Sequence, residues 1–359
     1  MNLNEEMHPA RWWKKTSPRT QDAKSVTCLL CPRGCVLKNN SSGFCGARKN
    51  IGGKLFALTY GRPAALAMDP IEKKPLYHFH PGAETLSLGA LGCNMRCPHC
   101  QNDALSFASE SDFTALLSAK RGILEGFKKL WPVAIAQIAM YNNSKIISWT
   151  YNEPLVWPEY VLDCMRAARE QSLSSVLVTA GLVHPDIWEE FLPFLDACSL
   201  DIKGWGDFYT KLTGINGLEC VLQNALAAHK AGCHIEIVTN IMHGWNDDTA
   251  SLTAIAEWIC DKLSPNIPWH VTASRPAHTL TELKPTPLET IRKAVALGKK
   301  IGLQFVYSGN IADTETQITF CPNCGAELIK RASFFLRENR FLNGGRCSKC
   351  GTRIYGVFD

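Results

Sequence analysis

The stretch Thr85-Leu86-Ser87-Leu88-Gly89-Ala90-Leu91-Gly92-Cys93-Asn94-Met95-Arg96-Cys97-Pro98-His99-Cys100-Gln101-Asn102 runs an apolar segment straight into three cysteines spaced Cys-x3-Cys-x2-Cys. Residues Thr85–Ala90 read as a buried strand, so the cysteines belong to the loop that follows it. Three thiolates on one loop can hold three irons of a cubane [4Fe–4S] cluster, which leaves the fourth iron open to a chelating small molecule. A structural zinc wants four ligands in closed tetrahedral geometry. His99 adjoins Cys100, and that adjacency makes joint chelation by both awkward.

Outward from this loop the chain alternates. Apolar runs at Lys145–Tyr151, Ser175–Thr179, Ala197–Ile202, His234–Ile241, Trp269–Ala273 and Gln304–Tyr307 read as buried parallel strands. Between them lie helical patterns at Glu159–Gln171, Gly217–Ala231, Asp248–Lys262 and Pro287–Lys300, with helix-start signals at Asp247-Asp248 and Thr286-Pro287. The segment Asp112–Met140 exceeds a simple crossover and is expected to form a two-helix insertion split near Pro132. Such repetition argues an α/β fold, a parallel sheet wound into an open or closed barrel. Chemistry falls at the strand ends: Cys93, then Tyr151–Pro154, Val178–Gly181, Asp201–Lys203, Thr239-Asn240 and Trp269-His270. In such folds these ends form one rim, so residues far apart in sequence face one cavity.

The whole chain has 359 residues, 46% hydrophobic, which excludes a disordered or fibrous protein. Its net charge of +5 gives weak support for a nucleic-acid partner and leaves one open. The apolar stretch Trp131–Met140 has about half of the ~20 residues a membrane span needs. Met1–Glu6 carries an early acidic pair and no apolar signal core, so a cytoplasmic location without membrane attachment is expected.

Sixteen cysteines are the unusual quantity. Beyond the central three, Cys28, Cys31, Cys35 and Cys45 form one set and Cys321, Cys324, Cys347 and Cys350 another. Cys-x-x-Cys spacings without a secretory signal mean metal or redox chemistry more often than disulfides. The second set makes two Cys-x-x-Cys-Gly knuckles, which suit a structural zinc ribbon. For the first set either zinc, the slightly preferred reading, or an auxiliary [4Fe–4S] cluster fits the spacing. Cys164, Cys198, Cys220, Cys233 and Cys260 are isolated and read as small buried hydrophobes. The expected organisation is a polar extension or peripheral helix over 1–25, an N-terminal four-cysteine module and lead-in loop over 26–84, the barrel over 85–312 and a zinc-ribbon-like module over 313–359. Within the lead-in, Asp69–His80 is either an ordered loop closing over the cavity or a charged surface loop.

Cys93-x3-Cys97-x2-Cys100 after the first barrel strand resembles the signature of radical S-adenosylmethionine (SAM) enzymes. Together with Cys28–Cys35, Asp69–His78, Thr150–Pro154 and the C-terminal cysteine pairs, it looks like the radical SAM member of the AmmeMemoRadiSam system, a group similar to the pyruvate formate-lyase activating enzymes. The resemblance implies a partial (β/α)6 barrel in which SAM chelates the open iron and is cleaved to a 5′-deoxyadenosyl radical. It implies that Asn152 and Glu153 bind the methionine amino group. Asp201 and Lys203 match the family's Asp-x-Lys and imply contacts with the SAM carboxylate or ribose, and His270 matches a histidine near ribose and adenine. Thr179 and Asn240 stand as further cofactor contacts. A flavodoxin or ferredoxin reductant is implied, with a protein substrate or Memo-family partners. Two departures stand out. His99 occupies a position usually aromatic, and Val178-Thr179-Ala180-Gly181 replaces Asp-Thr-Asn-Gly, losing a carboxylate and an amide. A small-molecule or RNA substrate stays open, as does a different class, a zinc-ribbon nucleic-acid-binding or scaffold protein, which would leave the three-cysteine loop without a purpose.

Overall fold

A computed structural model describes residues 7–16, 23–118, 129–342 and 344–358. The core is one eight-stranded sheet. Its strands, in chain order, are β1 (Ala65–Pro70), β2 (Glu84–Gly89), β3 (Ile146–Trp149), β4 (Ser174–Thr179), β5 (Ala197–Asp201), β6 (His234–Ile241), β7 (Trp269–Ala273) and β8 (Val306–Gly309). From β2 to β8 every neighbour is parallel and consecutive in sequence, whereas β1 pairs antiparallel with β2 and forms an edge. The sheet does not close, because β1 and β8 are its two ends. This is the α/β, parallel-sheet architecture that the alternation implied. The antiparallel β1 is additional: it occupies part of what reads in sequence as a lead-in loop.

Strands β3 and β7 are buried along their whole length, as a sheet covered on both faces requires. Helices supply the outer cover at Pro158–Glu170, Leu218–Lys230, Thr249–Trp258 and Leu288–Ile301. Each starts or ends by a readable device. Pro158 opens the first of them with Glu159 in its first turn. The Asp248 carboxylate accepts the Ser251 N–H at 2.8 Å and so caps the third. That third helix ends earlier than its pattern suggests, because Ile259–Leu263 widens into a π turn. Helices Glu110–Ser118 and Pro132–Tyr141 bracket the expected insertion, whose middle, 119–128, lies outside the described residues.

The ends of the chain differ from expectation in one respect. Where a peripheral helix was one option, His8–Pro9 and Trp13–Lys15 are short strands that pair with Lys54–Ala57 and Val26–Cys28. Residues 1–6 and 17–22 of that extension lie outside the described residues. The C-terminal module contributes an antiparallel hairpin, Glu327–Ala332 with Phe335–Asn339. It docks through Arg331, whose fully buried guanidinium donates to the Tyr77 carbonyl at 2.6 Å and to Thr319 Oγ1 at 2.9 Å. The isolated cysteines Cys164, Cys198 and Cys233 are buried, and Cys220 and Cys260 are half-buried. Among the described residues no helix is long and apolar enough to cross a membrane.

Candidate active site

The C-terminal ends of the strands surround a cavity of about 450 Å³. Into its lining come Cys93, Cys97 and Cys100 from the loop after β2, Asn152 and Glu153 after β3, Thr179 at the end of β4, Asp201 and Lys203 at β5, Asn240 on β6 and His270, which sits at the start of β7 and not at the strand end where the sequence reading put it. The seven non-cysteine residues expected to contact a cofactor therefore line a single space. Their individual commitments differ, and those differences assign the work.

Glu153 is 3% exposed, and its carboxylate accepts from Thr179 Oγ1 at 2.5 Å, from the Ala180 N–H at 2.9 Å and from the Leu155 N–H at 3.1 Å. Burial lifts its carboxyl above the ordinary glutamate range, while those three donors pull the other way. Thr179 is thus spent on orienting Glu153. Asn152 is committed further from any ligand. Its Oδ1 accepts the Ala90 N–H at 3.0 Å and its Nδ2 donates to the Gly92 carbonyl at 2.7 Å, so the side chain staples the loop that carries Cys93. The geometry makes Asn152 a positioning residue. Tyr151, just before it, holds a left-handed backbone (φ 73°) that is rare for an aromatic side chain, and its O–H donates to Asp69 at 2.6 Å.

Lys203 Nζ lies 2.6 Å from Asp201 Oδ2, so the Asp-x-Lys pair forms an internal ion pair at the rim. Burial opposes the lysine's charge, but Asp201 and the Cys97 thiol hold it above the ordinary lysine range. His270 Nε2–H donates to Glu236 Oε2, 2.7 Å away. That edge of the ring is therefore occupied, and a ribose or adenine could meet only its remaining surface. Glu236 is fully buried, and it also takes His234 Nε2 at 2.9 Å and the N–H groups of Tyr77 and His78 at 3.0 and 2.7 Å. Although burial works against ionisation, the two imidazoles keep its carboxyl well below the usual range. Two buried polar atoms in the cavity lining, Asn240 Oδ1 and His99 Nδ1, have no hydrogen-bond partner among the described residues. Burial, assisted by Lys203, brings the His99 imidazole down to about 3, so it is neutral.

The sulfurs carry the clearest geometric message. Among the described residues, Cys321, Cys324, Cys347 and Cys350 are the His/Cys/Asp/Glu group whose ligand atoms all fall within 4.8 Å of one another. Cys321 and Cys350 sulfurs are 3.5 Å apart, and those of Cys324 and Cys347 3.7 Å. Zinc–sulfur bonds of about 2.3 Å in a tetrahedron set sulfurs roughly 3.8 Å apart, so this set fits a single ion. The Thr352 hydroxyl, 3.2 Å from Cys350 Sγ, helps to hold that thiol down to about 6. Cys93, Cys97 and Cys100 converge on the cavity without reaching that mutual closeness, which suits ligation of separate corners of a cubane.

Sequence reasoning left the Asp69–His80 segment undecided. It is ordered, and Glu72, Lys73, Lys74 and Tyr77 wall the cavity. Lys74 is buried with its ammonium 2.6 Å from Asp69 Oδ2, and burial brings it down to about 8. Lys73 donates to Asp69 Oδ1 at 2.7 Å, and Phe334, at the tip of the C-terminal hairpin, completes the rim. Nothing local in the sequence pairs Asp69 with Tyr151, since that contact depends on β1 lying in one sheet with β2 and β3.

Comparison with known proteins agrees with this geometry. A relative from Methanocaldococcus jannaschii, itself uncharacterised, is 38% identical over 334 residues, 93% of this chain and 96% of the relative. The isethionate sulfite-lyase activating enzyme of Nitratidesulfovibrio vulgaris is 31% identical over 107 residues, 29% of this chain and 34% of that enzyme. The pyruvate formate-lyase-activating enzyme of Clostridium pasteurianum is 29% identical over 125 residues, 34% of this chain and 48% of that enzyme. The sequence model of the Radical SAM superfamily matches residues 89–254, from the end of β2 through the cluster loop and β6. The family implies a [4Fe–4S] cluster and SAM, for which three open thiols, a buried carboxylate and two unpartnered polar atoms provide a fitting donor set. Over residues 89–254 the chain carries a radical SAM domain, and it is an enzyme with similarity to the pyruvate formate-lyase activating enzymes.

Proposed function

We propose that this enzyme cleaves SAM reductively and uses the resulting radical to remove hydrogen from a protein partner, in the manner of an activating enzyme. The observation that supports this best is the single cavity that collects Cys93, Cys97 and Cys100 with Glu153 and the Asp201–Lys203 pair. Cys93, Cys97 and Cys100 would hold a [4Fe–4S] cluster, which, once reduced by an external donor, would supply the electron for reductive cleavage of SAM. The chain's own groups bind, orient and exclude water. Glu153 offers a buried acceptor for an ammonium group, and the Lys203 ammonium offers a donor to a carboxylate or hydroxyl. Asn152 holds the cysteine loop against β3. Cys321, Cys324, Cys347 and Cys350 hold a structural zinc in this reading.

Similarity to activating enzymes, two of which are named above, supports a protein substrate and a flavodoxin or ferredoxin as reductant. The resemblance to the AmmeMemoRadiSam group points to Memo-family proteins as the first partners to try. A zinc-ribbon binding protein without catalysis is not favoured, because it gives the 450 Å³ cavity and its three thiols no task. Anaerobic reconstitution with iron and sulfide, reduction and addition of SAM test the reading. 5′-Deoxyadenosine and a SAM-dependent change in the reduced cluster's EPR signal are expected. A protein fully loaded with iron that forms no 5′-deoxyadenosine would refute it.

A further inference from the structure

Cys28, Cys31, Cys35 and Cys45 line a void of their own, together with Arg48 and with Asn94 of the cluster loop. All four thiols line this one void, so they converge on it. Yet they do not form a group with ligand atoms within 4.8 Å of one another, the closeness that the C-terminal set reaches. That closeness is what a mononuclear tetrahedral ion needs, with sulfurs roughly 3.8 Å apart. A cubane takes one thiolate on each of four irons and spreads the sulfurs to roughly 6 Å.

Arg48 is the second, independent observation. Its side chain is 1% exposed, and its Nη2 donates to Glu159 Oε1 at 2.7 Å and to the Arg11 carbonyl at 2.5 Å. Its Nε and Nη1 are buried and have no partner among the described residues. Two guanidinium nitrogens without an acceptor inside a protein are costly unless one meets them. Arg48 lines the same void as the four cysteines.

We infer that Cys28, Cys31, Cys35 and Cys45 hold a second [4Fe–4S] cluster, fully ligated by thiolates, whose sulfurs accept hydrogen bonds from Arg48. This cluster lies beside the first. A Cβ placed on Gly92 would collide with the Cys45 carbonyl oxygen, so only glycine lets the two backbones meet there, and Gly92 immediately precedes Cys93. Arg33 Nε donates to the Asn94 carbonyl at 2.6 Å and Arg96 Nη2 to the Phe44 carbonyl at 2.7 Å. Both guanidiniums stack on the Phe44 ring, at 3.4 and 4.0 Å from its centroid. The N-terminal module is thus clamped to the loop that carries the catalytic cysteines. The inference rests on the proposed function for the identity of its neighbour only.

Metal and sulfide analysis of the anaerobically reconstituted full chain tests it, with Mössbauer and EPR spectra of the reduced protein. About eight irons and eight sulfides per chain are expected, with the spins of two adjacent reduced clusters broadening each other's EPR signals. The triple variant Cys93→Ala, Cys97→Ala, Cys100→Ala leaves the N-terminal module intact. It should retain about four irons whose signal is sharp and indifferent to SAM. Cys31→Ser with Cys45→Ser should lose those irons and keep the SAM-sensitive signal. Arg48→Lys should move the second cluster's midpoint potential to more negative values. About four irons with two zincs in the unaltered protein, or an iron-free triple variant, would overturn the inference while leaving radical SAM chemistry standing. Eight irons without SAM cleavage would do the reverse, sinking the proposed function and sparing the second cluster.

Discussion

The central and C-terminal cysteine sets use the same Cys-x-x-Cys unit, Cys97–Cys100 in one and Cys321–Cys324 in the other, yet they present sulfur in opposite ways. At the C-terminus four thiols draw within 4.8 Å of one another on a small hairpin module, where an ion would close its own shell. At the rim three thiols spread around a 450 Å³ cavity whose other lining includes carboxylate, ammonium and amide groups. The first arrangement finishes a structure and the second leaves room for a reactant. Spacing in space, which the sequence interval does not reveal, separates a thiol set fit to enclose one ion from a set that faces an open cavity.

The sharpest way to break this comparison is Cys97→Ala. SAM cleavage should fall by at least ~1000-fold, since a missing cluster ligand removes the chemistry that the cofactor supplies. The C-terminal metal should remain, and retained cleavage measured by 5′-deoxyadenosine release would dissolve the distinction between the sets. Cys324→Ala should act in the opposite sense. Loss of a structural ion costs folding energy, so the melting temperature should fall by roughly 10 °C or more. Thermal melts and zinc content read this out, and an unchanged melt would show that the module needs no metal.

Glu153→Gln comes next in size. Removing a charged acceptor should weaken SAM binding by roughly 10–100-fold while iron content holds, because a hydrogen bond to a charged group contributes ~1.5–3 kcal/mol. Equilibrium binding to the cluster-loaded variant checks it, and unaltered affinity would take Glu153 out of the site. Asn152→Ala should instead lower cluster retention, with a stability loss of about 1–3 kcal/mol from the unsatisfied Ala90 N–H and Gly92 carbonyl. A purely ligand-binding Asn152 would show the contrary pattern, full iron content with weaker SAM binding.

The smallest effect concerns pH. His78 is fully buried, with Nε2 2.7 Å from the Tyr307 hydroxyl and Nδ1 2.7 Å from the Tyr355 carbonyl. Burial brings it down to about 3, against the pull of Glu236, with Arg331 and His234 also lowering it. Between its unfolded value near 6.5 and about 3, the unfolded chain binds a proton that the folded chain refuses. Stability from this group is therefore present above the unfolded value and declines as pH falls below it. Melts at pH 7.5 and 6 should show a modest loss at the lower value, reduced in His78→Phe. An equal loss in the variant would assign the acid sensitivity elsewhere.

Much of this was readable along the chain. The strands β2 to β8 announce themselves because buried parallel strands are short unbroken apolar runs, and the cysteine sets because ligands on one loop must be close in sequence. Glu153 was readable for the same reason, as a polar residue ending a strand. What was not readable is pairwise and distant. Asp69 with Tyr151, His270 with Glu236, and Arg331 with Tyr77 join residues from separate elements and leave no local pattern.

The sequence by itself determined which residues can ligate metal and which strand ends carry chemistry, because both follow from short-range spacing and hydrophobic period. Tertiary structure alone decided how far apart the sulfurs stand, and which polar groups at the rim remain uncommitted. It turned Asn152 into a staple for the loop, gave one edge of His270 to Glu236, and left Asn240 Oδ1 and two guanidinium nitrogens of Arg48 without partners among the described residues. Distances and vacant hydrogen bonds belong to the packed molecule, since each depends on elements that meet only after the sheet has formed.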